Sequence, residues 1–234
     1  MNVTSTPKQL GIYWLLGILA CGLAIAGKLV AVWSIDTYVY SLPIVGGVLA
    51  SLEIVEIASP ILLALLGLIL GSLTYYLSPN MGMGLRFLLL GLTFPLILII
   101  GYPIRHNLWV QQVGSQANLS FDQARQATDA FLQQKTSKSG SVGFYWYTAT
   151  QSKPPVRLEN VETLSEDNSL QNQLTELGKR QTGLWGLAFS LYNWLFNHAG
   201  WGLRAAYALL SGFLGLFYFY KGQRWATVKR QRQR

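Results

Sequence analysis

The chain has 234 residues, of which 51% are hydrophobic and only 12% are charged, about half the charged share of an ordinary soluble domain. A net charge of +8 suggests nucleic-acid binding, but six of the positive charges lie in the last fourteen residues, with no acid among them. Without that tail the net charge is +2, and the tail has no folded reading surface and a single aromatic residue, Trp225, that could stack on a base. We therefore expect a membrane protein that contacts the lipid bilayer, and no nucleic-acid partner.

Four apolar blocks are each long enough to cross a hydrocarbon layer about 30 Å thick as a helix. In chain order they are residues 10–32, 54–76, 85–104 and 199–220. The second block contains Gly67 and Gly71, a GxxxG pair at which helices pack closely, within one chain or between copies. The pattern predicts an all-α helical membrane bundle of about four transmembrane helices.

Basic residues in short flanking segments predict the orientation, because such residues concentrate on the cytoplasmic side. With four spans, Lys8, Arg86 and the basic tail fall on one side, and the long charge-balanced segment 107–182 falls on the other. Both termini are then cytoplasmic and segment 107–182 is extracytoplasmic. In a five-span alternative, residues 183–197 cross and residues 197–200 turn. It ranks second, because the extra segment is short and carries a polar stripe typical of an interfacial helix.

This topology divides the chain into four parts. They are an N-terminal membrane region with three spans (1–106), an extracytoplasmic domain (107–182), an interfacial helix with the last span (183–220) and a basic cytoplasmic tail (221–234).

The inserted domain between the third and fourth spans is predicted to be a small α+β domain. Ser120 and Gln123 match a capping box and begin an amphipathic helix over 120–135. Residues 142–150 contain a run of four aromatic residues and predict a strand, which pairs with a second strand over 156–164. Leucines between 170 and 177 predict another helix that leads back to the membrane.

Four charged residues lie close to or within the apolar blocks: Lys28, Glu53, Glu56 and Arg204. Ionisable groups at membrane depth are costly and often functional, so this polar cluster could handle protons or cations, or anchor a charged ligand. The structural interpretation has Lys28 and Arg204 reaching the headgroups while the glutamates face water or pair with them. We favour the structural interpretation, since none of the four is expected near the bilayer centre.

Residues for catalysis or metal binding are few. His106 and His198 are weak candidates for a metal or haem site, because no second ligand lies at a suitable spacing from either one. Cys21 is the one cysteine, so a cysteine-based metal site is excluded. No Walker loop, nucleophile elbow or HExxH motif is present. We expect no metal, no cofactor and no enzymatic activity.

The sequence therefore favours a non-catalytic accessory, assembly or scaffold subunit of a larger membrane complex. The outer domain would bind a membrane-protein partner or a second copy, by adding its aromatic strand to a neighbouring sheet. The residues expected to carry that contact are Phe144, Tyr145, Trp146 and Tyr147. One alternative is a small transporter or channel component that uses the polar cluster, and another is a redox or pigment protein that uses the two histidines.

Overall fold

The computed structural model describes residues 7–40, 42, 49, 53–78, 81–150, 154–156 and 184–232, with side chains from residue 200 onward in the last range. The regular structure in these ranges is helical, and no strand occurs in them. The α-helices are α1 (Pro7–Ser34), α2 (Ala58–Leu73), α3 (Met83–Ile99), α4 (Gly101–Ala117), α5 (Phe121–Thr136), α6 (Gly140–Thr150) and α7 (Leu184–Arg232). Short π- or 3-10-helical turns are Ile35–Val39, Ile54–Ile57 and Thr74–Tyr76.

Four helical segments are long and apolar enough to cross a membrane. They are Pro7–Val39, Ile54–Tyr76, Met83–Ala117 and Gly200–Arg232. Each overlaps one of the predicted apolar blocks, which confirms the prediction of four helices of membrane-spanning length and indicates an integral membrane protein.

The third of these segments consists of two helices, because α3 ends at Ile99 and α4 begins at Gly101. Pro103 lies in the first turn of α4, where a proline is tolerated. It has no N–H to donate to the carbonyl of Ile99, so a single continuous helix loses a hydrogen bond here. The last helix is uninterrupted. The backbone of α7 stays helical through residues 197–200, where the five-span alternative needs a turn.

The predicted strand over 142–150 is wrong, because these residues belong to the helix α6, and the described residues give no support to the α+β character of the inserted domain. The buried residues of this segment include Gly143, Phe144, Tyr147 and Thr148. Val142 and Trp146, four residues apart, are exposed. Burial therefore repeats with the period of a helix. Aromatic residues lie on both faces of this helix, so the sequence shows no helical alternation of apolar and polar residues. The strand propensity of the aromatic residues is then the one signal that the sequence gives. Most of the second predicted strand (157–164) and all of the predicted helix 170–177 lie outside the described residues.

The predicted capping box of the inserted segment is confirmed at the start of α5. The Ser120 hydroxyl accepts a hydrogen bond from the Gln123 backbone, and the Gln123 side chain accepts one from the Ser120 backbone at 3.1 Å. Ser137 ends the helix in the left-handed region, with φ of 59°. Local capping chemistry is therefore enough to define this helix from the sequence.

The chain forms two compact units. The first contains α1, α2, α3 and the C-terminal part of α7, as helices of alternating direction. Gly17, near the start of α1, lies against Leu70 near the end of α2 and against Leu89 near the start of α3. Near the other end of α1, Lys28 is bonded to Ser59 at the start of α2. Neighbours along the chain are therefore antiparallel, as in an up-and-down bundle.

Glycines bring α2 and α7 into backbone contact within the first unit. A Cβ atom added at Gly67 would overlap the carbonyl oxygen of Gly215, and one at Gly71 would overlap that of Phe219. From the other side, a Cβ at Gly222 would lie 2.8 Å from the backbone nitrogen of Ser72. The GxxxG pair therefore packs against a helix of the same chain, through van der Waals contact that needs small residues.

Basic side chains lie at one end of the first unit. Arg230, near the end of α7, donates to the backbone carbonyls of Thr74 and Leu77, and to that of Tyr75 at 2.7 Å. These carbonyls follow the last turn of α2, and that of Thr74 also accepts a hydrogen bond from the Leu77 backbone at 3.0 Å. Arg86, at the start of α3, donates to the carbonyl of Ser78 at 3.3 Å. The start of α1, this turn and the end of α7 thus share one end of the bundle.

The second unit contains residues 40–53 and 102–204. Its core joins α4, α5 and α6 through aromatic and aliphatic side chains. The buried members are Tyr102, Trp109, Val113, Phe131, Leu132, Phe144 and Tyr147. Trp109 also donates from its indole nitrogen to the carbonyl of Pro155 at 2.7 Å, which satisfies the one polar atom of that ring.

Candidate functional site

The first unit holds a buried ion pair between Lys28 and Glu56. The Lys28 Nζ lies 2.9 Å from Glu56 Oε2, and it also donates to Ser59 Oγ at 2.8 Å and to the carbonyl of Val55 at 3.2 Å. Ser59 in turn donates to Glu56 Oε2 at 3.1 Å. The lysine side chain is 0% exposed, so it does not extend to the headgroups. Three hydrogen bonds match the three donors of an ammonium group.

Helical spacing explains why Lys28 is enclosed. The buried residues of α1 recur every three or four positions and define one face of the helix: Tyr13, Gly17, Cys21, Ala24, Lys28 and Val32. Glu56 and Ser59 are three residues apart where α2 begins, so both face α1. A proline at position 60, in the first turn of α2, favours a helix start at this place. Ser59 was not predicted as a member of the cluster.

The second unit holds the other ion pair, between Arg204 and Glu53. Arg204 Nε donates to the two carboxylate oxygens of Glu53 at 2.8 and 3.0 Å, and Nη2 donates to Oε1 at 2.5 Å. The same guanidinium donates to the carbonyl of Tyr145 at 2.5 Å and to Thr148 Oγ1 at 2.9 Å. Its central carbon lies 4.9 Å from the ring centroid of Tyr102, close enough for a cation–π interaction.

The four charges predicted as one polar cluster are therefore divided, one pair in each unit. Glu53 and Glu56 are three residues apart, and the sequence places them on one helix face. The structure gives Glu53 a φ of +48°, just before the 3-10 turn Ile54–Ile57, so the helix begins after Glu53. The two carboxylates then bind different cations. Thr148 could not be predicted as a partner of Arg204 while its segment was assigned to a strand.

His106 lies in an aromatic pocket of the second unit. Its ring centroid is 6.1 Å from that of Trp109 and 5.7 Å from that of Phe144. Its Nε2 is 3.6 Å from Asp129 Oδ1 and makes no hydrogen bond to the described residues. In the part of the chain that the structure describes, no three His, Cys, Asp or Glu side chains are grouped so that they could hold a metal ion. The His198 side chain lies outside the described residues.

The predicted partner-binding residues are distributed over both faces of α6. Phe144 and Tyr147 are buried in the core of the second unit, and Tyr145 is half-buried. Trp146 is exposed, and Lys138 Nζ lies 3.9 Å from its ring centroid. Because these residues form a helix, they cannot add a strand to a neighbouring sheet, and only Trp146 is readily accessible from outside.

The first unit also contains an apolar groove of about 270 Å³ between α2, α3 and α7. Its walls include Leu63, Phe87, Phe94 and Leu216, with Ser211 as the one hydroxyl among the lining residues. Among the described residues, the Ser211 hydroxyl has no hydrogen-bond partner, although it is fully buried. Such a hydroxyl destabilises the fold unless something else bonds to it.

No family model, curated protein or solved structure matches this chain.

Proposed function

We propose that the protein is a non-catalytic subunit of a membrane complex, acting in its assembly or as a scaffold. The observation that supports this proposal is that both ion pairs join helices and are enclosed by further hydrogen bonds. Lys28 links α1 to the start of α2, and Arg204 links α7 to α6 and to Glu53. Removal of one member of such a buried pair is strongly destabilising, so each pair opposes rearrangements of the helices that would separate its two charges.

An ion- or proton-carrying role is the second candidate, because Lys28 and Glu56 are ionisable residues buried within membrane-spanning segments. A carrier must exchange partners during its cycle, and Lys28 would have to release three hydrogen bonds to do so. Flux through liposomes that contain the purified protein, abolished by Glu56→Gln, would support this second role. An absence of flux from liposomes that contain the wild-type protein would count against the carrier role and favour the scaffold role.

We propose that both termini are cytoplasmic, and the geometry of the first unit supports this orientation. Lys8 is near the start of α1, Arg86 is at the start of α3, and the basic residues 221–232 form the end of α7. In the antiparallel bundle these three positions share one end, and the Lys28–Glu56 pair is near the other. We propose that the basic end is cytoplasmic, since Lys and Arg concentrate there.

Within the second unit, we propose that the partner contacts α5 rather than the aromatic run of α6. Phe121 is 41% exposed in the first turn of α5, and Arg125, one turn later, has a side chain that is 57% exposed. Aromatic residues and arginine are the types enriched at the centres of protein interfaces. Their spacing of four residues places both on one side of the helix.

Affinity purification from native membranes in mild detergent, with mass spectrometry of the eluate, tests this role. The wild-type protein should recover other membrane proteins in fixed stoichiometry, and Arg125→Glu should lose them while its spans stay folded. Lys135→Glu is the matched control, because it makes the same charge change about 15 Å further along α5. Recovery of the wild-type protein alone, as a single copy, would contradict the scaffold role.

A further inference from the structure

The C-terminal part of α7 carries exposed cations directly after an apolar run. Residues 205–220 contain no charged residue, whereas the fourteen residues that follow contain six cations and no acid. The side chains of Lys221 and Arg224 are exposed and lie three residues apart, on one side of the helix. Neither of them forms an ion pair with a described residue. Both charges are therefore open to an anion from outside the bundle.

Contact with α2 sets the level of these two cations in the bundle. A Cβ atom added at Gly222 would lie 2.8 Å from the backbone nitrogen of Ser72, in the last turn of α2. The candidate span that contains α2 ends four residues later, at Tyr76. Lys221 directly precedes Gly222, and Arg224 is two residues beyond it. Both cations therefore lie at the level where the second span ends and the headgroup layer begins.

An exposed aromatic ridge of α7 leads to the two cations. Phe213 is 66% exposed and Phe217 is 53% exposed, and their rings are stacked, with centroids 6.2 Å apart and an interplanar angle of 19°. Phe217 is one turn before Lys221, so the ridge and the cations are on the same side of the helix. The side of α7 that packs on α2 is a different one and includes Gly215 and Phe219. The ridge therefore faces away from α2.

We propose that this side of α7 binds an anionic phospholipid, with the headgroup at Lys221 and Arg224 and an acyl chain along Phe213 and Phe217. Cations beside a membrane span attract anionic lipids, and the planar guanidinium of an arginine can donate two parallel hydrogen bonds to a phosphate. Trp225, one turn after Lys221, is 56% exposed and supplies the type of ring that concentrates at the headgroup level. This site belongs to the first unit and is independent of the protein partner proposed above for α5 in the second unit.

Native mass spectrometry of the purified full chain tests the lipid site. The protein is equilibrated in detergent with equal amounts of phosphatidylglycerol and phosphatidylcholine that have the same acyl chains, and the bound molecules of each lipid are counted. One double variant, Lys221→Gln with Arg224→Gln, removes both cations, and a second, Lys221→Arg with Arg224→Lys, conserves them. The matched control is Lys135→Gln with Lys138→Gln, which removes two exposed cations from the second unit. Circular dichroism shows whether each variant keeps its helices.

We expect the wild type, the charge-conserving variant and the control to retain phosphatidylglycerol in preference to phosphatidylcholine. Each cation near the headgroups raises the affinity for an anionic lipid about fivefold, so the variant with two glutamines should lose a factor of roughly 25 in this preference. Equal retention of both lipids by the wild type would overturn the proposal. A preference that the two glutamines leave unchanged, or that the control lowers as much, would also overturn it, because these two positions would then not bind the headgroup. None of these outcomes bears on the Arg125→Glu purification.

Discussion

Replacing Lys28 by methionine should destabilise the first unit strongly. The substitution keeps the apolar stem and removes the ammonium group, so Glu56 loses its ion pair and keeps the hydroxyl of Ser59 as a bond donor. Removal of one member of a buried pair destabilises proteins by about 3–5 kcal/mol, because the remaining charge stays buried without compensation. The side chains of Lys28 and Glu56 are 0% and 5% exposed, so water cannot replace the lost partner without rearrangement.

The double variant distinguishes an ion pair from simple packing. Lys28→Met with Glu56→Leu removes both charges, and apolar replacements of a buried pair are often neutral or stabilising. We therefore expect the double variant to be within about 1 kcal/mol of wild type. The coupling between the two sites then amounts to several kcal/mol, far above the few tenths usual for independent sites.

The comparison needs four proteins: wild type, Lys28→Met, Glu56→Leu and the double variant. Reversible unfolding in mixed detergent micelles, followed by circular dichroism, gives the free energy of unfolding of each. Single variants as stable as wild type would contradict this expectation, because the charge left behind in each would then be solvated in another way. Strict additivity would refute it as well, since Lys28 and Glu56 would then not interact.

Five further substitutions test the packing and the hydrogen bonds of the first unit. Gly71→Leu should destabilise the first unit by about 1–3 kcal/mol or more, because the new side chain would overlap the α7 backbone. Gly22→Leu is the control. A Cβ at Gly22 has no atom within 4 Å, so this variant should be as stable as wild type in the same unfolding assay. Ser211→Ala should leave the free energy of unfolding unchanged or raise it, because the Ser211 hydroxyl has no hydrogen-bond partner among the described residues. Ser59→Ala loses the bonds to Lys28 and Glu56, so it should lower the free energy of unfolding by about 1 kcal/mol or more. Arg230→Gln should lower it by about 1–3 kcal/mol, and equal stability of the variant would show that water, lipid or bonds such as that from the Leu77 backbone to the Thr74 carbonyl satisfy these carbonyls without Arg230.

The membrane helices could be predicted from the sequence because a segment within the hydrocarbon layer must be apolar and must satisfy its backbone hydrogen bonds internally. A long apolar run that forms a helix meets both conditions. The glycine pair at 67 and 71 could likewise be predicted as a packing face, but not its partner. The contact with Gly215 and Phe219 depends on the direction of α7 in the bundle, which no local pattern encodes.

The pairing of the charges could be predicted only in part. Sequence placed Lys28 and Glu56 near one boundary, but the separation of Glu53 from Glu56 depends on a backbone turn with φ of +48° at a residue that rarely adopts it. The helix α6 could not be predicted, because strand propensity is weak evidence when aromatic residues also fill a helix core. The burial of α6 side chains against Trp109 and Phe131 favours the helix over a strand.

If the proposed scaffold role is correct, the buried Lys28–Glu56 pair is structural and takes no part in chemistry or transport. The most direct test is the recovery of membrane partners by the Lys28→Met, Glu56→Leu double variant, purified from native membranes beside wild type. We expect the double variant to recover the same partners in the same stoichiometry as wild type. A double variant that is folded and abundant, yet recovers none of them, would contradict it.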